Sequence, residues 1–173
     1  GDVKFPVTLK NVTIKGAENG ATVIKNSRLY SSDGNTVVYE GITFDGICTG
    51  YLGGVDLIES VKDIIKSFVK KDGIVMIDPA MGDNGKLYTG FDTEYVKATK
   101  TLCALADVIT PNITEAAFML EEEYKEEYDY DYLLNLCKQL HNNGARDVVL
   151  TGVRKTETQV GVFCLLGGSE VYE

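Results

Sequence analysis

Ile74-Val75-Met76-Ile77-Asp78-Pro79-Ala80-Met81-Gly82-Asp83-Asn84-Gly85-Lys86-Leu87-Tyr88 is an apolar run followed at once by a loop rich in glycine and carboxylate. Four consecutive apolar residues predict a strand covered on both faces, as in a parallel sheet. The chain on either side supports that reading. Upstream, residues 44–49 form a short apolar stretch ending in Gly50-Tyr51-Leu52-Gly53-Gly54. Leu57, Ile58, Val61, Ile64, Ile65, Phe68 and Val69 then recur at helical spacing. Downstream come a helix near 93–105, a strand at Val108-Ile109 and a short helix over 114–120. Leu133, Leu136, Cys137 and Leu140 make the next helical stripe, closed by Gly144 at C′. Strands follow at 148–150 and 160–166. Alternation of this kind predicts an α/β fold over residues 44–166, a mostly parallel sheet joined by right-handed crossovers.

With 173 residues the chain holds one domain, or one domain with an appendage. Its net charge of −9 argues against nucleic-acid and anionic-membrane binding, which call for basic patches. No apolar run approaches the roughly 20 residues of a membrane helix, and no leader-like segment opens the chain. Cys48, Cys103, Cys137 and Cys164 are scattered and make no C-x-x-C pair. They read as small buried hydrophobes in a reducing cytoplasm. His141 is the sole histidine, which excludes multi-histidine metal sites, and it sits where a cation favours a helix C-terminus.

Charge and pattern change near residue 40. Residues 1–40 carry five basic and four acidic residues and are slightly positive, so the net negative charge lies beyond them. They alternate β-branched stretches (12–14, 21–24, 36–39) with turn signals (18–20, 33–35) and show no helical period. The expected organisation is a β-rich segment over 1–40, packed weakly on an α/β part over 41–173.

In an open α/β sheet, ligands bind outside the carboxyl ends of the strands. Here those ends carry residues 78–88, then Thr110-Pro111-Asn112-Ile113-Thr114-Glu115-Ala116, then Thr151-Gly152. Two carboxylates in a glycine-rich loop and an Asn/Glu pair at a helix start suit hydrated Mg²⁺ with phosphate groups. This is no Walker motif, because Leu87 stands where Ser or Thr is required. A plain turn at Asp83-Asn84-Gly85 and a helix cap at Asn112 or Thr114 are the alternatives the residues leave open. The acidic, tyrosine-rich stretch 121–131 reads as a solvated connection between helices. The glycosylation-like triplets at Asn11 and Asn112 read as chance.

Residues 78–88, followed by Ala106-Asp107-Val108-Ile109-Thr110-Pro111-Asn112-Ile113-Thr114-Glu115-Ala116, resemble the pyridoxal/pyridoxamine kinases of the ribokinase-like superfamily. Phe44-Asp45-Gly46-Ile47, Thr49-Gly50-Tyr51-Leu52-Gly53 and Val148-Val149-Leu150-Thr151-Gly152 are similar to that family in the right order, so the resemblance covers 42–173. It implies an incomplete three-layer sandwich and transfer of phosphate from ATP to the 5′-hydroxymethyl group of a vitamin B6 vitamer. By the same resemblance Asp78 and Asp83 line the phosphate and metal region, and Tyr88 lies beside the nucleotide. Thr110, Asn112, Thr151 and Gly152 contact the nucleotide, Asn112 and Glu115 hold Mg²⁺ through waters, and Tyr51 borders the pyridoxal pocket. A homodimer is left open.

Two departures qualify what the resemblance implies. The family's catalytic aspartate lies in a G-T-G-D motif at a helix start, and no such motif occurs in these residues. Gly167-Gly168-Ser169-Glu170 reads instead as a hairpin turn. The expectation is therefore a truncated kinase with little or no turnover. Residues 11–16 and 35–46 look like rungs of a parallel β-helix, and Gly41–Gly46 fits both patterns, which leaves open a chimera joined there or a misassembled gene. Two alternatives stand beside the kinase: a nonenzymatic nucleotide-binding module, and a β-helix-type surface or carbohydrate-binding protein.

Overall fold

The computed structural model describes residues 13–15, 38–40, 43–156 and 158–172. The chain divides into two compact units, Gly1–Thr43 and Phe44–Glu173. In the first, β1 (Thr13–Lys15) pairs in parallel with β2 (Val38–Glu40), Thr13 opposite Val38. The strand signals at 21–24 and the turn signals at 18–20 and 33–35 lie outside the described residues.

The second unit runs β3 (Phe44–Thr49), α1 (Val55–Phe68), β4 (Val69–Ile77), a hairpin of β5 (Gly82–Asp83) and β6 (Lys86–Leu87), and α2 (Thr93–Cys103). It continues with β7 (Val108–Ile109), α3 (Ile113–Leu120), α4 (Tyr130–Asn142), β8 (Asp147–Thr156), β9 (Gln159–Leu166) and β10 (Glu170–Tyr172). The six-stranded sheet has the order β10-β9-β8-β7-β4-β3. Strands β3, β4, β7 and β8 are parallel, and β9 and β10 add an antiparallel edge. The mostly parallel α/β reading holds.

Each crossover from β3 to β4, β7 and β8 steps one strand in the same direction across the sheet. Right-handed connections that all step one way put their helices on one face. Burial agrees: Val75, Ile77, Ile109, Val148, Leu150 and Phe163 are buried with the helices, whereas Ile74 and Met76 are 56% and 37% exposed. The expected cover on both faces of strand 74–77 is thus corrected among the described residues, which supply the sheet and one helical layer. Val69 also changes role. Its extended backbone (φ −81°, ψ 132°) ends α1 and starts β4, so it is no part of the helical stripe.

Local chemistry accounts for the element ends. Asp92 caps α2 by accepting from the Glu94 and Tyr95 amides, and Asp129 caps α4 by accepting from Tyr132 N at 2.9 Å. Such caps contribute about 0.5–2 kcal/mol each. Gly144 follows α4 at φ +124°, the left-handed C′ position expected of it. Leu166 pairs with Glu170 around a loop in which Gly167 and Gly168 have φ +55° and +73°, so the predicted hairpin turn is present.

The thiols divide. Cys103 and Cys137 are buried, and burial pushes each up to about 12, which makes them inert. Cys48 is exposed, contrary to expectation, because it lies opposite Met76 on the face without helices. His141 Nδ1 lies 3.0 Å from the carbonyls of Ala145 and Arg146, past the end of α4, a structural role.

Candidate functional site

The carboxyl ends of β4 and β7 and a bulge in the middle of β8 place residues 78–92, 110–112 and 151–152 along one rim. Met81 anchors the first loop, being fully buried. Beyond it Asn84 (φ +49°) and Gly85 (φ +72°) close the β5–β6 hairpin with consecutive left-handed residues, the pattern of a tight type I′ turn. The turn alternative for 83–85 is therefore present, and it is tied down. Gly85 N donates to Thr114 Oγ1 at 2.9 Å, and the Tyr124 ring covers Gly85 so closely that a Cβ there would lie 2.6 Å from it. Gly85→Ala is expected to destabilise the chain by about 1–3 kcal/mol, since left-handed backbone and ring contact both oppose a methyl group. Urea unfolding with an unchanged midpoint would show that Tyr124 swings away freely.

The start of α3 clamps this loop. Asn112 caps the helix by accepting from Glu115 N at 2.9 Å, and Glu115 Oε2 accepts from Asn112 N at 2.9 Å, a reciprocal capping box. Each side chain then reaches outward. Asn112 Nδ2 donates to Gly82 O at 2.8 Å, and Glu115 Oε1 accepts from Met81 N at 3.0 Å. Two residues predicted to hold Mg²⁺ thus also join two strand-end loops. Glu115 is only 3% exposed. Burial pushes its carboxyl above the usual range and the charge of Asp78 pushes it further, against the amides of Asn112 and Met81. Asp78 is raised by burial as well.

The remaining predicted residues occupy different settings. Asp83 is exposed, and its carboxylate accepts from Asn84 N at 2.8 Å and Asn84 Nδ2 at 3.0 Å. Tyr88 is held by its amide, which donates to Met81 O at 2.9 Å; partial burial and then Glu115, Asp83 and Asp78 push its phenol up. Thr110 N donates to Ile77 O at 3.0 Å. Thr151 N donates to Pro111 O at 2.9 Å and bridges in parallel to Asn112. Gly152, at φ +67°, sits in a register shift between Leu150 and Val153, a bulge in the middle of β8. Tyr51 follows β3 and begins an aromatic ladder, 5.3 Å from Phe91, which stacks on Tyr95 at 3.8 Å.

A cavity of about 280 Å³ lies over the hairpin, and Asp83, Asn112, Thr151 and Gly152 line it, as do Tyr124, Glu126, Tyr128 and Arg154. Asp78, Tyr88, Thr110, Glu115 and Tyr51 do not line it. The stretch 121–129 does connect α3 to α4, but three of its side chains wall this cavity, which the reading of a solvated connection missed. The signal was its tyrosines: four rings within residues 121–132 are more apolar area than a solvated connection requires.

A family model described as phosphomethylpyrimidine kinase matches residues 8–173. The chain belongs to that kinase family. It is 34% identical to the pyridoxine kinase of Bacillus subtilis over 160 residues, 86% of this chain and 56% of the relative. A candidate phosphomethylpyrimidine kinase of Bacteroides thetaiotaomicron, solved with pyridoxal, superposes with a TM-score of 0.69 at 38% identity, covering 75% of this chain and 46% of that one. The ADP complex of Bacillus subtilis pyridoxal kinase gives a TM-score of 0.63 at 31% identity, covering 76% and 49%. The chain spans about half the length of the relatives it matches, and the fold is ribokinase-like.

For a member of this kinase family the donor set decides how a metal is met. No three of His, Cys, Asp and Glu converge as a metal cage among the described residues. Both Glu115 oxygens already accept backbone amides, so an ion meeting this carboxylate through water would leave both bonds intact. Two carboxyl groups gathered at the strand ends, Asp78 and Glu115, fit a hydrated Mg²⁺ carried by phosphates.

Proposed function

We propose that the chain supplies the nucleotide side of a kinase that transfers the γ-phosphoryl group of ATP to the hydroxymethyl group of a vitamin B6 vitamer. The observation that carries this reading is the clamp at Asn112 and Glu115. It holds the 78–88 loop against the start of α3 and beside Thr151-Gly152, in a chain of this family. Relatives named for pyridoxine and pyridoxal, and structures solved with pyridoxal and with ADP, support the substrate pair. In the reaction the vitamer hydroxyl oxygen bonds to the γ-phosphorus, its proton passes to water, and the bond to the leaving ADP oxygen breaks. Catalysis rests on positioning and charge neutralisation. Asp83, Asn112, Thr151 and Gly152 face the phosphates, and Asn112 and Glu115 would hold Mg²⁺ through water with Asp78 nearby. Tyr88 and Thr110 support the loop ends, and Tyr51 borders the vitamer. Magnesium neutralises phosphate charge when bound.

Titration calorimetry with Mg·ATP tests this. The chain is expected to bind, and Asp83→Ala to bind at least about fivefold more weakly with unchanged circular dichroism. No heat from the unaltered chain would overturn the reading.

A further inference from the structure

Among the described residues lining the cavity over the hairpin there are two carboxylates, Asp83 and Glu126, and one cation, Arg154. The two arginines of this unit are in opposite states. Arg146 is paired with Asp107 at 2.9 Å and Asp147 at 3.1 Å. The Arg154 guanidinium is exposed and has no ion-pair partner among the described residues. The backbone beneath it is nevertheless fixed. Arg154 N donates to Tyr128 Oη at 2.6 Å, and Arg154 pairs with Val160 across the β8–β9 ladder just past the Thr151-Gly152 bulge. A second cavity of about 190 Å³ shares Tyr128 and Arg154 with the first, so this side chain stands at the boundary of both.

A guanidinium without an ion-pair partner among the described residues, on a fixed backbone, is a planar fork of donors suited to phosphate oxygens. We propose that Arg154 binds a phosphate of the nucleotide and that Tyr128 is its positioning residue; this rests on the nucleotide reading above. The side chain then supplies the positive charge that the neighbouring carboxylates lack, while the Tyr128 hydroxyl sets the height of the strand from which it projects.

The test is calorimetric titration of the 173-residue chain with Mg·ATP, Mg·ADP and inorganic pyrophosphate at two ionic strengths. Arg154→Ala is expected to weaken Mg·ATP about tenfold or more and to flatten the salt dependence, and Arg154→Lys to recover part of the loss. Tyr128→Phe is expected to weaken Mg·ATP several-fold in the unaltered background and to add nothing to Arg154→Ala, because its action runs through Arg154. Equal affinity in Arg154→Ala, or a lowered unfolding midpoint with unchanged affinity, would overturn the proposal. A chain that binds Mg·ATP yet ignores Arg154 leaves the kinase reading standing. One that binds no nucleotide overturns both.

Discussion

Supplied with Mg·ATP and pyridoxal, the purified 173-residue chain is expected to form phosphorylated product at least about 100-fold more slowly than full-length Bacillus subtilis pyridoxine kinase. The residues proposed to face the phosphates are in place, but a hydroxyl nucleophile gains from a base positioned to take its proton. The G-T-G-D stretch expected to provide one does not occur in these 173 residues. Neither nearby aspartate substitutes. Both aspartates belong to the nucleotide side in the proposed reading, and the Asp83 carboxylate is engaged by both nitrogens of Asn84. General-base assistance is worth about 10²–10⁴-fold and anion-hole donors about 10²–10³-fold, so either loss alone brings a slow kinase near background. Steady-state assay beside the full-length relative decides it. A rate within about tenfold of that control would place an effective base inside these residues.

Glu115→Ala should cost the most stability of any single change at the rim. The buried carboxylate accepts the amides of Met81 and Asn112, and its removal leaves both donors short of a partner. At about 1–3 kcal/mol for each, the loss is on the order of 2–5 kcal/mol. Loop 78–88 should loosen with it, and Mg·ATP binding should fall in parallel. Glu115→Gln separates charge from hydrogen bonding. Because burial raises the carboxyl of Glu115 above its ordinary 4.5, the unfolded chain gives up its proton first. Over that window the folded state binds more protons, so stability falls as pH rises from about 4.5 through the raised value. Glu115→Gln should reduce this slope and leave the part contributed by Asp78, which is raised as well. Urea unfolding between about pH 4 and 8 reads both effects. An unaltered slope in Glu115→Gln would assign the whole pH dependence to other groups.

Much of the fold was legible because its signals are local. Helical spacing at Leu133, Leu136, Cys137 and Leu140 needs one turn of chain to express itself, and it appears in α4. The left-handed glycines at 144, 167 and 168 stand where a helix or strand must reverse, and those positions take a residue without Cβ most readily. Asn112 was one of two candidate caps, and the reciprocal bond with Glu115 three residues on selects it. The 74–77 strand was misread in its surroundings. A continuous apolar run says that a strand is apolar on both sides, and whether a helix lies on each side depends on the direction of every crossover in the sheet.

Sequence alone determined the strand–helix alternation, the rim at the carboxyl ends of the strands, and the residues Asp83, Asn112, Thr151 and Gly152 that line the cavity there. Those are consequences of periodicity and of motifs a few residues long. Tertiary structure decided that Glu115 spends its second oxygen on Met81, that Tyr124 lies over Gly85, and that Tyr128 fixes the backbone of Arg154. Each such contact joins residues from separate elements, up to 39 positions apart for Tyr124 and Gly85, and no local pattern encodes it. The sheet order sets those distances, because side chains meet only after β4, β7 and β8 are laid side by side and their loops are brought to one edge.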